Sequence, residues 1–170
     1  IETDAIQPIN PYGNTKATVE RMLLDISGTS DDWRIASLRY FNPVGAHPSG
    51  LIGESPKGVP SNLFPLVADV ALGRRETLKV FGNNWPTPDK TCIRDYIHVM
   101  DLAEGHLSAL NYLFNQKSNL TTLNLGSGKG YSVLEVVNAF EKAIGESIKY
   151  EIVDRRLGDA AETIADPTQA

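Results

Sequence analysis

The stretch Asn10-Pro11-Tyr12-Gly13-Asn14-Thr15-Lys16 begins the segment that decides the fold of this chain. Asparagine is a preferred residue before a helix, and proline is favoured at the first helical position. Apolar residues follow with helical spacing, and Gly28 then supplies a stop signal. The stretch therefore predicts an amphipathic helix that begins at Pro11, with Tyr12 and Lys16 in its first turns.

Tyr12 and Lys16 form a Tyr-x-x-x-Lys pair, whose members project from one face of a helix. A free tyrosine titrates near pH ~10 and is a poor base at neutral pH. An ammonium one turn away favours the phenolate, which can take a proton from a sugar or alcohol hydroxyl. Loss of that proton accompanies hydride departure to a nicotinamide, so the pair indicates NAD(P) redox chemistry. A lone match of this motif also arises by chance, as a half-buried tyrosine beside a solvated lysine.

The composition is that of a soluble globular chain, with 170 residues, 41% of them hydrophobic and 22% charged. A net charge of −5 without a basic stripe argues against nucleic acid as the main partner. A single cysteine, Cys92, excludes an internal disulfide and fits a reducing, cytoplasmic compartment. No apolar run approaches a membrane span and no signal peptide is visible, so no membrane partner is expected. His47 and His106 lack metal-ligand spacing, so no metal is expected.

Strand-like and helical segments alternate along the chain, which predicts an α/β fold. Strands are expected at 34–41, 77–81, 94–99, 121–125 and 148–153, and helices at 63–72, 101–113 and 132–144. A Ser132–Glu135 capping box and Gly145 mark the last of these helices. Residues 42–61 form a long Pro/Gly-rich loop, and such a loop inside a compact domain is usually functional.

The glycine-rich run at 126–130 follows a predicted strand and resembles a phosphate-cradling loop. Tyr131 stands where the pattern G-x-G-x-x-G would need its third glycine. We therefore interpret the run as a structural turn.

Several ordered motifs resemble those of the UDP-glucose (UDP-galactose) 4-epimerases, a family of extended short-chain dehydrogenases/reductases. The motifs occupy residues 11–16, 38–50, 60–63, 80–82, 94–103 and 155–159. The first is shared by the whole superfamily, whereas 40–50 is more specific to the epimerase branch. The resemblance covers nearly the whole chain and implies NAD as the cofactor.

The resemblance also implies a mechanism for interconverting UDP-galactose and UDP-glucose. Tyr12 would deprotonate the sugar 4-hydroxyl while C4 gives hydride to NAD+, and the 4-keto sugar would rotate and take hydride back on its other face. Lys16 would hydrogen-bond the nicotinamide ribose and tune Tyr12, and Phe41 would line the nicotinamide site.

A UDP-hexose substrate would be bound by a second set of residues that the resemblance implies. Asn42, Asn62 and Leu63 would contact the substrate, and the uridine would be flanked by Lys79, Val80 and Phe81. The pyrophosphate would be met by Arg94 and Arg156. Asp159 would accept a hydrogen bond from a ribose or sugar hydroxyl, and Thr163 would lie beside the sugar. Arginine suits two phosphates because it supplies charge-assisted, bidentate donors. From the residues alone, Arg94 could instead pair only with Asp95 or another acid, and Asp159 could be a simple turn residue. Family members vary between bulky and small residues at the aligned position of Thr163, and a small residue leaves room near the 2-position substituent of the sugar. The resemblance therefore implies that N-acetylhexosamine nucleotides are accepted as well as hexoses.

The fold implied is the C-terminal part of a Rossmann-like NAD(P)-binding domain followed by a smaller α/β substrate-binding lobe. Residues 1–45 would end the NAD domain, and residues 46–170 would mainly form the UDP-sugar lobe, with about 90–130 returning to the NAD domain. The Gly-rich NAD loop and the upstream catalytic Ser/Thr of the family would precede Ile1, and 166–170 resembles the start of a helix. We therefore expect a piece of a longer protein that is inactive alone and a possible homodimer when full-length. The alternatives are a sugar-nucleotide 4,6-dehydratase and a non-catalytic sugar-nucleotide-binding fragment.

Overall fold

The computed structural model describes residues 1–115 and 119–170. In these ranges helices and strands alternate, which confirms the α/β class. The elements are α1 (Pro11–Ser27), β1 (Ile35–Tyr40), β2 (Asn42–Val44), α2 (Leu63–Ala71), β3 (Leu78–Phe81), β4 (Ile93–His98), α3 (Val99–Asn115), β5 (Leu120–Leu125), β6 (Gly130–Ser132), α4 (Val133–Ile144), β7 (Tyr150–Val153) and β8 (Glu162–Thr163).

Three sheets organise the described residues. β1 pairs with β5 in parallel, from Ile35 opposite Leu120 to Tyr40 opposite Leu125. β4 lies between β2, which is parallel to it, and β6, which is antiparallel, and it also pairs with β8. β3 and β7 form a third, parallel pair. Phe41 alone separates β1 from β2, and its N–H donates to the Leu125 carbonyl at 3.1 Å, so the chain passes from one sheet to the next at this residue.

Two apolar clusters hold the layers together. The larger one packs α2 and α4 against β3 and consists of Val67, Leu78, Val80, Val137 and Ile148. The smaller one joins Ile97, Leu102 and Leu125, with Leu38 against them. Burying one such aliphatic side chain contributes about 1.5–3 kcal/mol, so these clusters fix the relative positions of the strands around the site.

The predicted caps of α1 and α4 are confirmed. The Asn10 side chain accepts a hydrogen bond from Gly13 N–H at 2.7 Å, and Pro11 occupies the first turn. Ser132 and Glu135 form the reciprocal capping box, and Gly145 ends α4 in the left-handed region at φ 77°. These contacts satisfy backbone groups that helix ends leave unpaired.

The predicted start of α3 at Asp101 is wrong, because the helix already begins at Val99. β4 runs directly into α3, and Nδ1 of His98 accepts a hydrogen bond from Met100 N–H at 3.2 Å. A histidine therefore takes the capping role that the sequence assigned to an aspartate. Asp101 lies in the first turn, where a negative charge is favourable beside the N-terminal end of the helix dipole.

One strand boundary also differs from the prediction. The last long strand begins at Tyr150 rather than at 148, because Ile148 is buried in the larger cluster and its N–H donates to Glu141 Oε1 at 2.8 Å. Residues 167–170 form a turn closed by Ala170 N–H on the Pro167 carbonyl at 3.0 Å, and the helix predicted to start in this stretch stays a prediction. Within residues 1–115 and 119–170, no helix has both the length and the apolarity that a membrane span requires.

Candidate functional site

A single cavity collects most of the residues that the sequence assigned to the substrate. It lies where the β2 strand, the start of α2, the end of β3, the middle of β4 and the loop after β7 meet. The assigned residues that line it are Asn42, Asn62, Leu63, Lys79, Val80, Phe81, Arg94, Arg156 and Asp159. They come from five segments of the chain, so the fold and not local sequence brings them together.

The alternation of β4 explains one wall of the cavity. Successive side chains of a strand point to opposite faces, so Arg94 and Tyr96 face the cavity together while Asp95 points away. Cys92, two residues before Arg94, lines the same wall. Sequence reasoning missed Cys92 and Tyr96, although the period of two around Arg94 was a signal that would have found both.

Arg94 and Arg156 meet at the carboxylate of Asp159. Arg94 Nη1 donates to the carbonyls of Ile93 at 2.8 Å and Ala160 at 2.9 Å, and its Nη2 lies 3.9 Å from Asp159 Oδ1. Arg156 Nε donates to Asp159 Oδ2 at 3.0 Å. Two guanidinium groups around one carboxylate leave a net positive charge, which suits a polyanionic ligand. Arg94 does not pair with Asp95, which lies on the other face of the strand, but with another acid, Asp159, which also contacts Arg156 across a turn.

Phe81 provides a flat apolar surface at the same end of the cavity. The guanidinium carbon of Arg156 lies 4.7 Å from the centre of its ring, a cation–π arrangement. Val80, the residue before it, is buried in the larger apolar cluster and forms a wall without offering a polar side chain. Because Arg156 is half exposed, its side chain can leave the ring when a planar ligand competes for the same face.

The two titratable groups beside Arg94 on this wall, Tyr96 and Cys92, are uncharged at neutral pH, and burial moves both further from ionisation. Burial raises the pKa of the Tyr96 phenol to about 12, an effect that the nearby Arg94 partly offsets. Burial also raises the pKa of the Cys92 thiol, and Arg94 again acts in the opposite direction. Both groups are therefore protonated at neutral pH. The charged side chains that line the cavity are Glu54, Lys79, Arg94, Arg156 and Asp159.

Glu54 is another lining residue that the sequence did not single out. It belongs to the long loop after β2, and its Oε1 accepts a hydrogen bond from Asn62 Nδ2 at 3.2 Å. The loop predicted to be functional thus supplies an acidic side chain to the cavity beside one of the predicted substrate contacts.

Tyr12 and Lys16 lie outside this cavity, on the exposed first turns of α1. Tyr12 is 72% exposed, and Lys16 Nζ lies 5.0 Å from the centre of its ring. The two side chains share one helix face, as the spacing of four residues predicts. Asn10 Nδ2 donates to the Gly158 carbonyl at 3.0 Å, which attaches the start of α1 to the loop that carries Arg156 and Asp159.

Thr163 is the one assigned substrate residue that the structure does not bring to the cavity. It lies in β8 opposite Arg94 and is exposed. Thr163 pairs with Arg94 through the backbone of the sheet. It therefore lies next to a residue that lines the cavity but does not line the cavity itself. Its contact with the sugar stays a prediction.

Backbone N–H donors of the glycine-rich run at 126–130 already have a hydrogen-bond partner within the protein. The N–H groups of Ser127 and Gly128 donate to the two oxygens of Asp95 at 2.8 Å and 2.9 Å. The interpretation as a structural turn is confirmed, because the loop cradles a carboxylate of the protein itself.

Among the described residues, no cluster of three or more His, Cys, Asp or Glu side chains is arranged to hold a metal ion.

Comparison with known proteins decides the family. The model of the NAD dependent epimerase/dehydratase family matches residues 1–126. The chain belongs to this family. The match spans Tyr12, Lys16 and most of the cavity residues, whereas Arg156 and Asp159 lie beyond it.

Members of this family with assigned activities match nearly the whole chain. The UDP-glucose 4-epimerase of Bacillus subtilis is 55% identical over 161 residues, which are 95% of this chain and 47% of that protein. The crystal structure of the Bifidobacterium longum UDP-glucose 4-epimerase, solved with NAD+ and UDP, is 49% identical with a TM-score of 0.94. The Stenotrophomonas maltophila UDP-glucose-4-epimerase, solved with NAD and formylated UDP-arabinopyranose, is 50% identical with a TM-score of 0.93. Each structure matches 99% of this chain, which spans 50% of the crystallised protein.

Proposed function

We propose that these residues form the substrate-binding part of a UDP-glucose 4-epimerase and carry its catalytic Tyr12. The full-length protein would interconvert UDP-galactose and UDP-glucose by reversible oxidation at C4 of the sugar. The observation that carries the proposal is the cavity itself, where nine predicted substrate residues converge around two arginines. The similarity to the Bacillus and Bifidobacterium epimerases supports the same activity.

The diphosphate of the substrate would bind between Arg94 and Arg156. In the structure, Asp159 partly neutralises both guanidinium groups, and the remaining positive charge would be met by the diphosphate. The uracil base would pack near Phe81, and Asn42 and Asn62 would hydrogen-bond the sugar end. This arrangement gives each chemical part of a UDP-hexose a partner of matching character.

The residues present fit a nicotinamide cofactor beside the sugar. Tyr12 and Lys16 present a phenol and an ammonium on one open helix face, and Phe41 lies directly after the carboxyl end of β1. Ligands of open parallel α/β sheets bind at the carboxyl ends of the strands, so Tyr12, Lys16 and Phe41 would hold the nicotinamide end. NAD, when bound, supplies the acceptor that removes hydride from C4 and the donor that returns it.

The chain's own part in the chemistry is proton transfer and positioning. The Tyr12 phenolate would take the proton from the sugar 4-hydroxyl and return it to the same oxygen after the sugar has turned. Lys16 would stabilise the phenolate and orient it, and the arginines would hold the diphosphate while the sugar turns. Proton and hydride are both returned, so the overall reaction is an isomerisation.

We further propose the division predicted from the sequence, with residues 1–45 and about 90–130 in the NAD domain and the remainder in the UDP-sugar lobe. The parallel pairing of β1 with β5 supports it, because it joins strands from these two stretches. A homodimer of the full-length protein, a cytoplasmic location and the acceptance of N-acetylhexosamine nucleotides stay predictions of the sequence.

Proton NMR of UDP-galactose incubated with NAD+ and the full-length protein tests the proposed function. Appearance of UDP-glucose is the expected result. A 4-keto-6-deoxy product would assign the protein to the dehydratase alternative, and UDP binding without any turnover would favour the non-catalytic alternative.

A further inference from the structure

Asp95, the residue after Arg94, carries a fully buried carboxylate at the junction of three segments. It is 0% exposed. Its Oδ1 accepts from the Ser127 N–H at 2.8 Å and the Ser127 hydroxyl at 2.6 Å, and its Oδ2 accepts from Gly128 N–H at 2.9 Å and Ala165 N–H at 3.1 Å. A buried polar group without partners is costly, whereas this one is met by four donors. The carboxylate therefore ties β4 to the loop after β5 and to the segment after β8.

The glycine-rich loop is shaped to approach this carboxylate. A Cβ at Gly126 would stand 2.7 Å from Asp95 Oδ2 and 2.5 Å from the Ala165 Cβ, distances that real Cβ atoms essentially never show. Consecutive backbone N–H groups of such a loop form an anion-binding concavity. Here the anion is a side chain of the protein, so the loop serves as an internal clamp.

The clamp holds residues 160–165. This segment follows Asp159, whose carboxylate contacts both Arg94 and Arg156. Ile93 N–H donates to the Ala161 carbonyl at 2.8 Å, and Arg94 Nη1 donates to the Ala160 carbonyl at 2.9 Å. With Ala165 on Asp95, contacts at both ends of residues 160–165 fix the register of β8 against β4. Asp159 directly precedes this segment, and a slip of one residue along a strand moves the chain by about 3.3 Å.

We propose that Asp95 is a positioning residue for the UDP-sugar site. Its carboxylate sets the register of residues 159–165 on β4 and thereby the separation between Arg94 and Asp159, which is 3.9 Å in the structure. Asp95 does not touch the cavity and acts through these two residues. The proposal rests on the proposed function, because it concerns how the diphosphate end of that site is held.

The substitution Asp95→Asn in the full-length protein tests the proposal. Asparagine keeps the size but replaces one acceptor oxygen with an NH2 group, which would face N–H donors. We expect the KM for UDP-galactose and the Kd for UDP to rise about tenfold, the scale of one buried donor left unpaired. Because Asp95 does not touch the reacting atoms, kcat should stay within about twofold.

A double-mutant cycle separates positioning from general destabilisation. In an Asp159→Ala background, Asp95→Asn should raise the Kd for UDP clearly less, because one of the two residues through which it acts is gone. Ser127→Ala is the matched control: it removes one donor to Asp95 but leaves the Ala165 contact. It should lower the unfolding midpoint without changing KM.

Two outcomes would overturn the proposal: an unchanged Kd for UDP in folded Asp95→Asn, or an equal rise in both backgrounds. If Asp95→Asn does not fold, Gly126→Ala replaces it. Its Cβ would push Ala165 and Asp95 apart, and an unchanged Kd there would equally overturn the proposal. Failure of the wild-type protein to convert UDP-galactose would instead overturn the proposed function, while the Kd for UDP would still report on Asp95.

Discussion

Asn10 and Gly158 join α1, which carries Tyr12 and Lys16, to the end of the cavity that Arg156 and Asp159 line. Asn10 caps α1 with its side-chain oxygen and donates through Nδ2 to the Gly158 carbonyl at 3.0 Å. Gly158 adopts φ +80°, and a Cβ on it would stand 2.9 Å from the Asn10 Cβ. One asparagine side chain thus positions both the first turn that carries Tyr12 and the loop that carries Asp159.

Gly158→Ala should separate these two parts of the site. Alanine is strained at positive φ, at a cost of about 1–2 kcal/mol, and here its Cβ also collides with Asn10. We expect lower stability together with a KM for UDP-galactose that rises about fivefold to tenfold, measured by steady-state kinetics on the full-length protein. Gly50→Ala is the control, because Gly50 has φ +70° with nothing within 4 Å. It should lose similar stability and keep its KM, and a matching rise in KM would contradict the proposed link.

Arg94→Lys should weaken UDP binding although the charge is kept. A lysine ammonium cannot reproduce the planar fork that donates to the Ala160 carbonyl and would also donate to a phosphate. Calorimetric titration with UDP should give a Kd raised about tenfold or more. Arg74→Lys serves as the control, because Arg74 is exposed and lies 3.9 Å from its partner Asp69. Equal Kd values for both variants and the wild type would remove Arg94 from the proposed site.

Leu78→Ala should destabilise the wall of the cavity. Leu78 is 0% exposed within the larger apolar cluster, so its truncation leaves a cavity in a packed region. The free energy of unfolding, measured by chemical denaturation, should fall by about 2–5 kcal/mol. Leu51→Ala, at a residue that is 88% exposed, should change it by less than about 0.5 kcal/mol. Similar losses in both variants would contradict the description of the cluster.

Asp89 should make stability depend on pH in the acid range. Burial of its carboxyl acts to raise the pKa, but hydrogen bonds from Ser132 and from Thr91 outweigh it, and the pKa is lowered from the ordinary value of 3.8. A lowered folded-state pKa contributes stability above the unfolded pKa, and this stability is lost as the pH falls through the folded pKa.

The free energy of unfolding should therefore decrease below pH ~4, and Asp89→Asn should flatten that part of the curve. Thr91→Val removes the hydroxyl that donates to Asp89 Oδ1 at 2.8 Å and should flatten it partly. If the free energy of unfolding of Asp89→Asn still decreased below pH ~4 as steeply as that of wild type, other carboxyl groups would carry the effect.

The sequence predicted well where local chemistry decides the structure. The caps of α1 and α4 follow from side chains within a few residues of each helix end, so Asn10, Ser132 and Gly145 could be assigned without the fold. Periodicity likewise placed β1, α2 and β5 to within one or two residues. The start of α3 failed because His98 caps it, and histidine is not a usual capping signal.

Contacts between segments that are distant in the chain could not be predicted from the sequence. The family resemblance assigned Arg94 and Asp159 to the substrate, but their separation of 3.9 Å depends on the pairing of β8 with β4. The role of Asp95 was hidden for the same reason, because its donors lie 32–70 residues away in the chain. Thr163 was assigned by aligned position alone, and the cavity does not include it.

The proposed function is tested most directly by comparing UDP binding with turnover of UDP-galactose in the Tyr12→Phe variant of the full-length protein. Phenylalanine keeps the ring on α1 but removes the hydroxyl that would carry the proton. We expect a Kd for UDP within about twofold of wild type, since Tyr12 lies outside the cavity, and a kcat for UDP-galactose lowered at least about a hundredfold. A kcat close to that of wild type would contradict the assignment of Tyr12 as the base and, with it, the proposed division of the site into a binding cavity and a catalytic helix.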